Sequence, residues 1–502
     1  MKNYITASRV IKEQAAKKLI LLILSCFYFY RCSPPPIDYI YINSGFEYEA
    51  EKEFLESILN SEDLSAHNLQ LLSGSQQASI HIEFFTAWEY ETSAGDIIIS
   101  RKFLIPHDDF LAGRTNTSLA ACLDGSEKLI QIDELMPPFT ALKVDSLAAG
   151  DKDYPLVQVT GIRLRIDEKI ESENRLLDKI NIIINTVKAA PKPLCQPVPE
   201  LIWITAGGDT MLERGASEIL LNEGPSGIFG KTAEMLASSD IALLNLEGVI
   251  SSRGQRVSKS FTFRFVPEIA QALTNAGINA VLHANNHVFD YGEEAFLDSL
   301  YNLNQAGIGI AGAGIDDEAA SNPVVFKKDG YEVRVFGIAS FPRENNGWDG
   351  VNAAAGPGRA GMLHAQRGGI DKIKQKLLPG TLNVILFHGG IEWSAEPDEA
   401  TRKMYTDLIA SGADLVIGTH PHIVQGFEWV LGKPVFWSLG NYVFGRMNGF
   451  YTGDEGLFIR LGYRNGKLLY IEPFPIFLNN MRTDIVSQDK LKTFYDRSKK
   501  LR

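Results

Sequence analysis

From Leu201 onward the sequence repeats one pattern, in which a short apolar run ends in Gly, Asp, Asn or His and an amphipathic stretch follows. Short apolar runs bounded by such residues are typical of buried strands, and amphipathic stretches with a 3.6-residue period are typical of helices. The alternation of the two predicts an α/β fold. The predicted strands are Ile202–Ala206, Ile241–Leu244, Ala280–His283, Val333–Ala339, Val384–Phe387, Leu415–Ile417 and Pro434–Ser438.

Two hairpins are predicted within the same region. Asp329-Gly330 and Asn465-Gly466 are dipeptides that tolerate the positive φ angles of a tight turn. The second turn makes the last strands, about Gly456–Leu461 and Lys467–Phe474, antiparallel. Antiparallel strands and polar strand ends favour an α/β sandwich over a purely parallel nucleotide-binding sheet. The predicted helices are about Gly230–Ser238, Pro267–Ala276, Glu293–Gln305, Ile370–Leu377 and Glu399–Ser411.

A proline-rich stretch, residues 189–200, is predicted to be a domain linker. It holds four prolines in twelve residues, which neither a helix nor a central strand tolerates. Residues 37–188 are predicted to form a separate N-terminal α/β module, residues 201–478 the second domain, and residues 479–502 a C-terminal tail. The predicted elements of the module are strands Tyr39–Ile42, Ala78–Phe85, Asp96–Ile99 and Leu156–Ile162 and helices Glu47–Leu59 and Ile170–Val187.

Residues 1–32 are predicted to be an export leader. Basic residues precede an apolar run at residues 19–30, as they do in signal peptides, and twelve residues are too few for a membrane span, which needs ~20. A lipid anchor would be attached to Cys26, which follows a lipobox-like Ile-Leu-Ser, or to Cys32, which precedes Ser-Pro-Pro-Pro. Ordinary cleavage without a lipid is the alternative. We therefore expect an exported protein of the cell envelope, anchored in the membrane through the leader or a lipid.

The net charge excludes one class of function. The formal charge is -12 and the pI is near 5.4, so a protein that wraps nucleic acid or adheres to anionic membranes by charge is not expected. An anionic substrate would have to be attracted locally, by metal ions or a few arginines.

Side chains that commonly bind metals follow the predicted strands, where α/β folds place their sites. Gly207-Gly208 would let the backbone turn sharply and direct Asp209 into a site. Two histidines flank Pro421, and in an extended segment such residues, two positions apart, point the same way. Carboxylate, carboxamide and imidazole groups suit divalent metals. The candidate ligands are Asp209, Glu247, Asn286, His388, His420 and His422.

Together these ligands predict a binuclear metal site. A bridging carboxylate with mixed nitrogen and oxygen donors holds two metals ~4 Å apart, lowers the pKa of a shared water and stabilises charge in the transition state. His287 is the candidate catalytic residue, as general acid or transition-state donor. The alternative is that each polar residue merely caps its strand. It is weak for the set as a whole, because four of the nine histidines fall on the pattern.

Seven motifs in residues 201–478 resemble the CapA-type capsule or poly-γ-glutamate synthesis proteins, a branch of the calcineurin-like metallophosphoesterases. The resemblance implies a four-layer α/β/β/α sandwich, a hydrolase-type site and one or two divalent metal ions. It does not decide whether the metal is Mn, Zn, Fe or Mg. The motifs are GDTMLER (208–214), LNLEG (244–248), FRF (263–265), ANNHVFDYG (284–292), HGGIE (388–392), GTHPHIVQG (418–426) and SLGN (438–441).

The resemblance also implies how the ligands are shared. One metal would be lined by Asp209, Glu247 and His422 and the other by Glu247, Asn286, His388 and His420, with Glu247 as the bridge. Arg214 and Arg264 are implied to hold an anionic substrate group, with structural ion pairs as the alternative. Met211 stands where the wider superfamily has a histidine, so the first metal position is expected to be poorly liganded. Glu247 stands where the superfamily has an aspartate, and Gly389 where the branch commonly has an aromatic residue.

Three functions fit this sequence. The first is an exported, metal-dependent hydrolase or transferase that acts on a phosphoester or amide bond in capsule or poly-γ-glutamate synthesis. The second is a non-catalytic envelope protein that binds an anionic polymer, and the third is a generic metal-dependent phosphoesterase.

Residues 151–156 resemble a segment of solute-binding-like modules. Residues 224–232 miss the spacing of a phosphate-binding loop by one residue, and residues 307–314 lack the full dinucleotide fingerprint.

Overall fold

The structure is a computed structural model that describes residues 38–43, 49–59, 69–72, 80–92, 96–123, 125–149, 151–166, 174–190, 200–344, 348–445 and 453–501. The predicted leader with Cys26 and Cys32, and residues 191–199 of the proline-rich stretch, lie outside the described residues. Among the residues described, no helix is long and apolar enough to cross a membrane. The described residues divide into two compact units, of which the second comprises those within 107–115, 135–142 and 200–502 and the first comprises the others.

The first unit contains a mixed sheet. Its strands are ordered Leu69–Leu72, Asp38–Asn43, Ile80–Trp88, Val157–Ile166, Ile97–Asp109 and Leu129–Gln131, and the last residues of Ile97–Asp109 belong to the second unit. Asn116–Thr117 pairs with Lys143–Val144, and the helices are Glu49–Leu59, Leu119–Leu123 and Asn174–Ala189. Leu55, Ile99, Val159 and Ile184 are at most 3% exposed and contribute to its core. The strands and helices predicted for this region are present, but the strand expected at Asp96–Ile99 continues to Asp109, and the strands Leu69–Leu72 and Leu129–Gln131 were not predicted.

The second unit contains two sheets, which we name by a residue in each. The Asp209 sheet has its strands in the order Gly309–Ala311, Ala280–Leu282, Ile241–Leu246, Ile202–Thr210, Glu455–Arg464, Lys467–Asn479 and Arg482–Ile485, and Asn441–Val443 also pairs with Ile202–Thr210. The His388 sheet has the order Val324–Lys328, Tyr331–Ser340, Leu382–Gly389, Leu415–Thr419, Lys433–Phe436 and Phe427–Val430. Shorter pairs join Val249–Ile250 to Arg264–Phe265, Ala313–Gly314 to Gly361–Met362, and Phe139–Ala141 to the end of Ile97–Asp109.

Apolar side chains on both faces of each sheet explain why these strands read as continuous apolar runs. One cluster joins Ile204 and Leu243 of the Asp209 sheet to Val335 and Val384 of the His388 sheet. A second cluster packs helices against the Asp209 sheet, and a third packs helices against the His388 sheet. The helices are Ala216–Glu223, Pro225–Phe229, Thr232–Ser238, Ile269–Asn275, Gly292–Gln305, Asp317–Ser321, Gly369–Lys376, Glu399–Ala410 and Leu491–Leu501. The predicted α/β class is confirmed.

Both predicted hairpins are present. Asp329 and Gly330 have φ of 50° and 80°, Asn465 and Gly466 have φ of 50° and 73°, and the flanking strands are antiparallel. Positive φ at both central residues is the geometry that matches the twist of a hairpin.

Residues 479–502, which we expected to form a tail, contain the strand Arg482–Ile485 and the helix Leu491–Leu501. The rings of Phe494 and Tyr495 lie 6.3 and 5.7 Å from the ring of Phe110. The apolar spacing at 491, 494 and 495 was the signal available in the sequence.

Candidate metal centre

The candidate ligands lie at the carboxyl ends of neighbouring strands in the two sheets. Asp209 is the next-to-last residue of Ile202–Thr210, and Glu247 directly follows Ile241–Leu246. The glycines before Asp209 do not form the sharp turn that we expected, because both lie within the strand. A Cβ at Gly208 would lie 1.8 Å from the carbonyl oxygen of Gly440, so close backbone approach is what requires glycine here.

The six predicted ligands come together in one buried cluster, and each is at most 6% exposed: Asp209, Glu247, Asn286, His388, His420 and His422. Asp209, Glu247 and His388 offer ligand atoms that all lie within 4.8 Å of one another. His388 Nε2 lies 3.1 Å from Asn286 Oδ1 and 3.2 Å from His420 Nδ1. Asp209 Oδ2 lies 3.3 Å from His422 Nδ1. The sequence pattern therefore predicted residues that are neighbours in space.

His420 and His422 reach the cluster by a different backbone path from the one we expected. Their φ angles are 97° and 56°, so the segment is not extended and the rule that residues two positions apart point the same way does not apply. Non-glycine residues in this region cost about 1–3 kcal/mol each and are concentrated at functional sites. The two imidazole rings lie 6.3 Å apart, close enough to serve one cluster.

The buried carboxylates fit a site that holds a cation. Glu247 Oε1 is buried and has no hydrogen-bond partner among the residues that the structure describes. Burial, and then the neighbouring Asp209 carboxylate, raise the pKa of Glu247 well above its usual value, which means that the ionised form is costly without a compensating charge. Donors that share one ion at ~2.1 Å lie roughly 3.0–3.4 Å apart, and the two distances from His388 Nε2 agree with that spacing. This group of residues could therefore bind a metal.

The histidines of the cluster have opposite proton affinities. Burial lowers the pKa of His388 well below its usual value and that of His420 to about 3. Burial alone would also lower the pKa of His422, but the carboxylates of Glu247 and Asp209 outweigh it and raise that pKa to about 10. His388 and His420 are therefore neutral near pH 7 and can accept a metal directly, whereas His422 must first lose a proton.

Two asparagines that sequence reasoning did not identify hold the ligands in place. Asn245 Nδ2 donates to Asp209 Oδ1 at 2.7 Å and lies 3.1 Å from His388 Nδ1. Asn441 Oδ1 lies 2.8 Å from His422 Nδ1, while Asn441 Nδ2 donates to the carbonyl oxygen of Gly453. Such partners fix the orientation of metal ligands. Both asparagines lie within motifs quoted above, LNLEG and SLGN, which was the signal available.

His287, the candidate catalytic residue, is held by a buried carboxylate. Its Nδ1 lies 2.6 Å from Asp290 Oδ2, which also accepts from the backbone N–H of Phe263, and its Nε2 lies 3.6 Å from Glu247 Oε1. Lys259 Nζ donates to Asp290 Oδ1 at 2.9 Å. Lys259 and the backbone of Phe263 both donate to Asp290, so Asp290 acts as the acceptor. In its hydrogen bond with Asp290, His287 Nδ1 therefore carries the proton, and Nε2 faces the cluster. Burial lowers the pKa of His287, and the Asp290 carboxylate opposes that effect.

The two arginines implied as anion ligands do not line the cavity beside the cluster. Arg214 donates to the carbonyl oxygen of Gly445 at 2.8 Å, and its guanidinium lies 5.8 Å from the ring centre of Phe261. Arg264 donates to the carbonyl oxygen of Arg253 and stacks 4.1 Å over Tyr291. Both arginines therefore have structural contacts.

The structure shows the surroundings of Met211, where the sequence differs from the wider superfamily, and of Gly389, where it differs from the branch. Met211 is buried in the apolar cluster beside the Asp209 sheet, and its sulfur lies 3.2 Å from the backbone nitrogen of Glu213. A Cβ at Gly389 would lie 1.8 Å from the carbonyl oxygen of Ser340, so an aromatic side chain does not fit on this backbone.

A cavity of about 400 Å³ opens onto the cluster. Asn286, His287 and His420 line it on the side of the candidate ligands. A small molecule that enters the cavity therefore meets both the candidate metal ligands and the candidate proton donor.

Comparison with known proteins gives a consistent result. Residues 203–446 match the model of the family described as bacterial capsule synthesis protein PGA_cap. The chain is 24% identical over 289 residues to the PGA biosynthesis protein CapA of Bacillus subtilis (57% of this chain, 74% of the relative). It is 28% identical over 257 residues to the capsule biosynthesis protein CapA of Bacillus anthracis (49% and 60%), and 26% identical over 338 residues to a probable polyglutamine synthesis accessory protein of Mycobacterium tuberculosis (58% and 88%).

Solved structures give weaker matches. A hypothetical protein from Thermus thermophilus aligns with a TM-score of 0.33 at 13% identity, over 54% of this chain and 98% of that one. A 5'-nucleotidase from Candida albicans aligns with a TM-score of 0.32 at 11% identity, over 59% and 57%. The family model and the capsule-related relatives identify residues 203–446 of this chain as a domain of the PGA_cap family of bacterial capsule synthesis proteins, within the metallophosphoesterase-like superfamily.

Proposed function

We propose that the second unit is a metal-dependent hydrolase that cleaves a phosphoester or amide bond during capsule or poly-γ-glutamate synthesis. The observation that carries this proposal is the convergence of six buried metal-binding side chains beside His287, in a domain of a capsule synthesis family. A purely structural cluster would not need three imidazoles and two carboxylates that burial makes costly.

In this proposal the cluster holds one or two divalent ions. Asp209, Glu247 and His422 would hold one, and Glu247, Asn286, His388 and His420 the other. A bound ion would polarise the substrate and lower the pKa of a water. Glu247 would bridge the two positions, and Asn245 and Asn441 would keep the ligands oriented. Two sheets that share one apolar cluster, each covered by helices, support the four-layer α/β/β/α sandwich as the scaffold.

His287 would exchange a proton with the substrate at Nε2. Asp290 accepts from Nδ1–H and stabilises the charged ring, while Lys259 donates to the other Asp290 oxygen. His287 and Asp290 therefore place Nε2, the atom that would take up this proton and pass it on, 3.6 Å from Glu247 Oε1, where the leaving group of a bound ester or amide would need it.

We also propose a setting for this activity. The chain would be exported and held at the membrane through its leader or a lipid on Cys26 or Cys32, and it would act on an anionic envelope polymer or a phosphoester precursor. The capsule-related names of its relatives support that setting. Residues 37–188 without the segments 107–115 and 135–142, which belong to the second unit, would form a separate module, which the likeness of residues 151–156 suggests is solute-binding-like.

The test uses the full chain loaded with Mn²⁺ and offered aryl phosphodiesters and γ-linked glutamate oligomers. His388→Ala should lose bound metal and turnover, whereas His287→Ala should keep the metal and lose turnover at least tenfold, within the range of a general acid. His107→Ala, which lies outside the cluster, is the control and should keep both. Oligomer binding without turnover in the wild-type chain would favour the non-catalytic, polymer-binding function, and turnover of phosphodiesters alone would favour a generic phosphoesterase.

A further inference from the structure

Apolar rings pack directly against the candidate ligands at the cavity. The ring of Phe341 lies 5.6 Å from that of His420, and the ring of Trp393 lies 5.3 Å from that of His422. Trp393 has a φ of 63°, and its backbone N–H donates to the carbonyl oxygen of Pro421. Contact with the rings of the candidate ligands therefore helps to fix the positions of Phe341 and Trp393, and the backbone conformation also fixes Trp393.

Two large apolar side chains at the same cavity are exposed. Phe261 is 62% exposed and Ile391 is 54% exposed, and both line the cavity. The Arg214 guanidinium lies 5.8 Å from the Phe261 ring centre and supports the ring in this exposed position. Exposed apolar groups beside convergent polar groups are typical of small-molecule sites.

The charged side chains of the cavity wall do not favour a second anion. They are Arg343, Glu344 and Glu392, one cation against two carboxylates. Glu344 lies 2.9 Å from Lys259 Nζ, but that lysine is also paired with Asp290. Beyond the candidate ligands, a substrate with a row of negative charges would therefore meet no excess of positive charge among the lining residues that the structure describes.

We propose that the cavity selects a substrate whose single anionic group binds at the candidate ligands and whose adjoining group is uncharged and apolar, with Phe261 and Ile391 as specificity-determining residues. This inference rests on the proposed function for the position of the anionic group. Of the substrates that the proposed function allows, this inference favours a phosphoester with an apolar neighbouring group over a polymer with a carboxylate on every unit.

The test measures binding and does not depend on turnover. Phenylphosphonate, methylphosphonate and 2-carboxyethylphosphonate are titrated by calorimetry into the Mn²⁺-loaded full chain. Phenylphosphonate should bind at least tenfold more tightly than either of the other two. The Phe261→Ala and Ile391→Ala variants should each reduce that preference at least threefold, with little change for methylphosphonate.

Two controls match the exposure of these residues elsewhere on the second unit. Tyr301→Ala and Ile315→Ala remove side chains that are 63% and 65% exposed, and both should retain the full preference. Equal affinity for the three phosphonates, no binding of any of them, or an equal effect of the control substitutions would overturn the inference. Selective phosphonate binding without hydrolysis of any ester or amide would instead contradict the proposed function and leave the specificity intact.

Discussion

The candidate centre has two halves that differ in their readiness for a metal. The His388 half contains Asn286, His388 and His420, the His422 half contains Asp209 and His422, and Glu247 is shared. All these histidines are buried, yet the pKa of His420 is lowered to about 3 and that of His422 is raised to about 10. Burial alone therefore does not decide whether a buried imidazole is charged. The proximity of His422 to two carboxylates decides it.

This difference predicts two metal positions of unequal affinity. The His388 half presents neutral imidazoles and the Asn286 oxygen without prior loss of a proton from the ring of His388 or His420. The His422 half has to release the His422 proton first. It also has one ligand fewer than the superfamily pattern, because Met211 stands where the superfamily has a histidine and is buried in the apolar cluster beside the sheet. We therefore expect the His388 half to bind the first ion and the His422 half to bind a second one more weakly.

The largest effect is expected from the shared ligand. Glu247→Gln keeps the size of the side chain but removes the charge that both halves use, so affinity for Mn²⁺ should fall more than ~100-fold, beyond the 10–100-fold typical of partners outside the ligand sphere. Equilibrium dialysis with metal analysis measures it. Glu234→Gln, at an exposed position, is the control, and similar losses in both variants would refute a shared ligand.

Separate removal of one histidine from each half should distinguish them. His388→Ala should abolish the tighter class of Mn²⁺ site, because two short distances between candidate ligands, to Asn286 and to His420, converge on that ring. His422→Ala should leave the tighter class and abolish only the weaker one. Titration monitored by the electron paramagnetic resonance of free Mn²⁺ counts both classes. If His422→Ala removes the tighter class, the order of the halves is reversed.

A smaller effect is expected from Asn441. Because its Oδ1 is bonded, among the residues that the structure describes, to His422, Asn441→Ala should weaken the second ion by between about 10- and 100-fold and leave the first unchanged. Asn302→Ala, which removes a side-chain hydrogen bond to the carbonyl oxygen of Ile250, is the matched control. Equal weakening of both ions in the Asn441 variant would show that the substitution acts on the fold.

The smallest effect is in the pH dependence. Between pH 6 and 9, His422 is protonated in the metal-free protein because its pKa is about 10, so binding in its half releases one proton and the affinity should rise about tenfold per pH unit from this group. His420, with a pKa of about 3, is already neutral in that range and adds no slope. Calorimetry in buffers of different ionisation enthalpy counts the protons released. Binding of the second ion without release of a proton would contradict the difference between the halves.

The ligand set was predictable because residue type and position along a strand are visible in a sequence. The positions of the ligand-bearing strands along the chain and all six candidate ligands follow from short apolar runs that end in polar residues, and the Asn465 turn follows from its Asn-Gly dipeptide. Other features depend on contacts between segments that are distant along the chain. The positive φ of His420 and the contact of Arg214 with the ring of Phe261 have no local signal, and neither does the close approach of Gly208 to Gly440.

Crystals of the full chain soaked in Mn²⁺, with anomalous diffraction data, test the central claim most directly. The claim is that the side chains of the two sheets converge on a cation. It predicts an anomalous peak within bonding distance of Glu247, His388 and His420, and a weaker second peak beside Asp209 and His422. A peak that lies elsewhere on the molecule, or a cluster that stays empty at millimolar Mn²⁺, would contradict it.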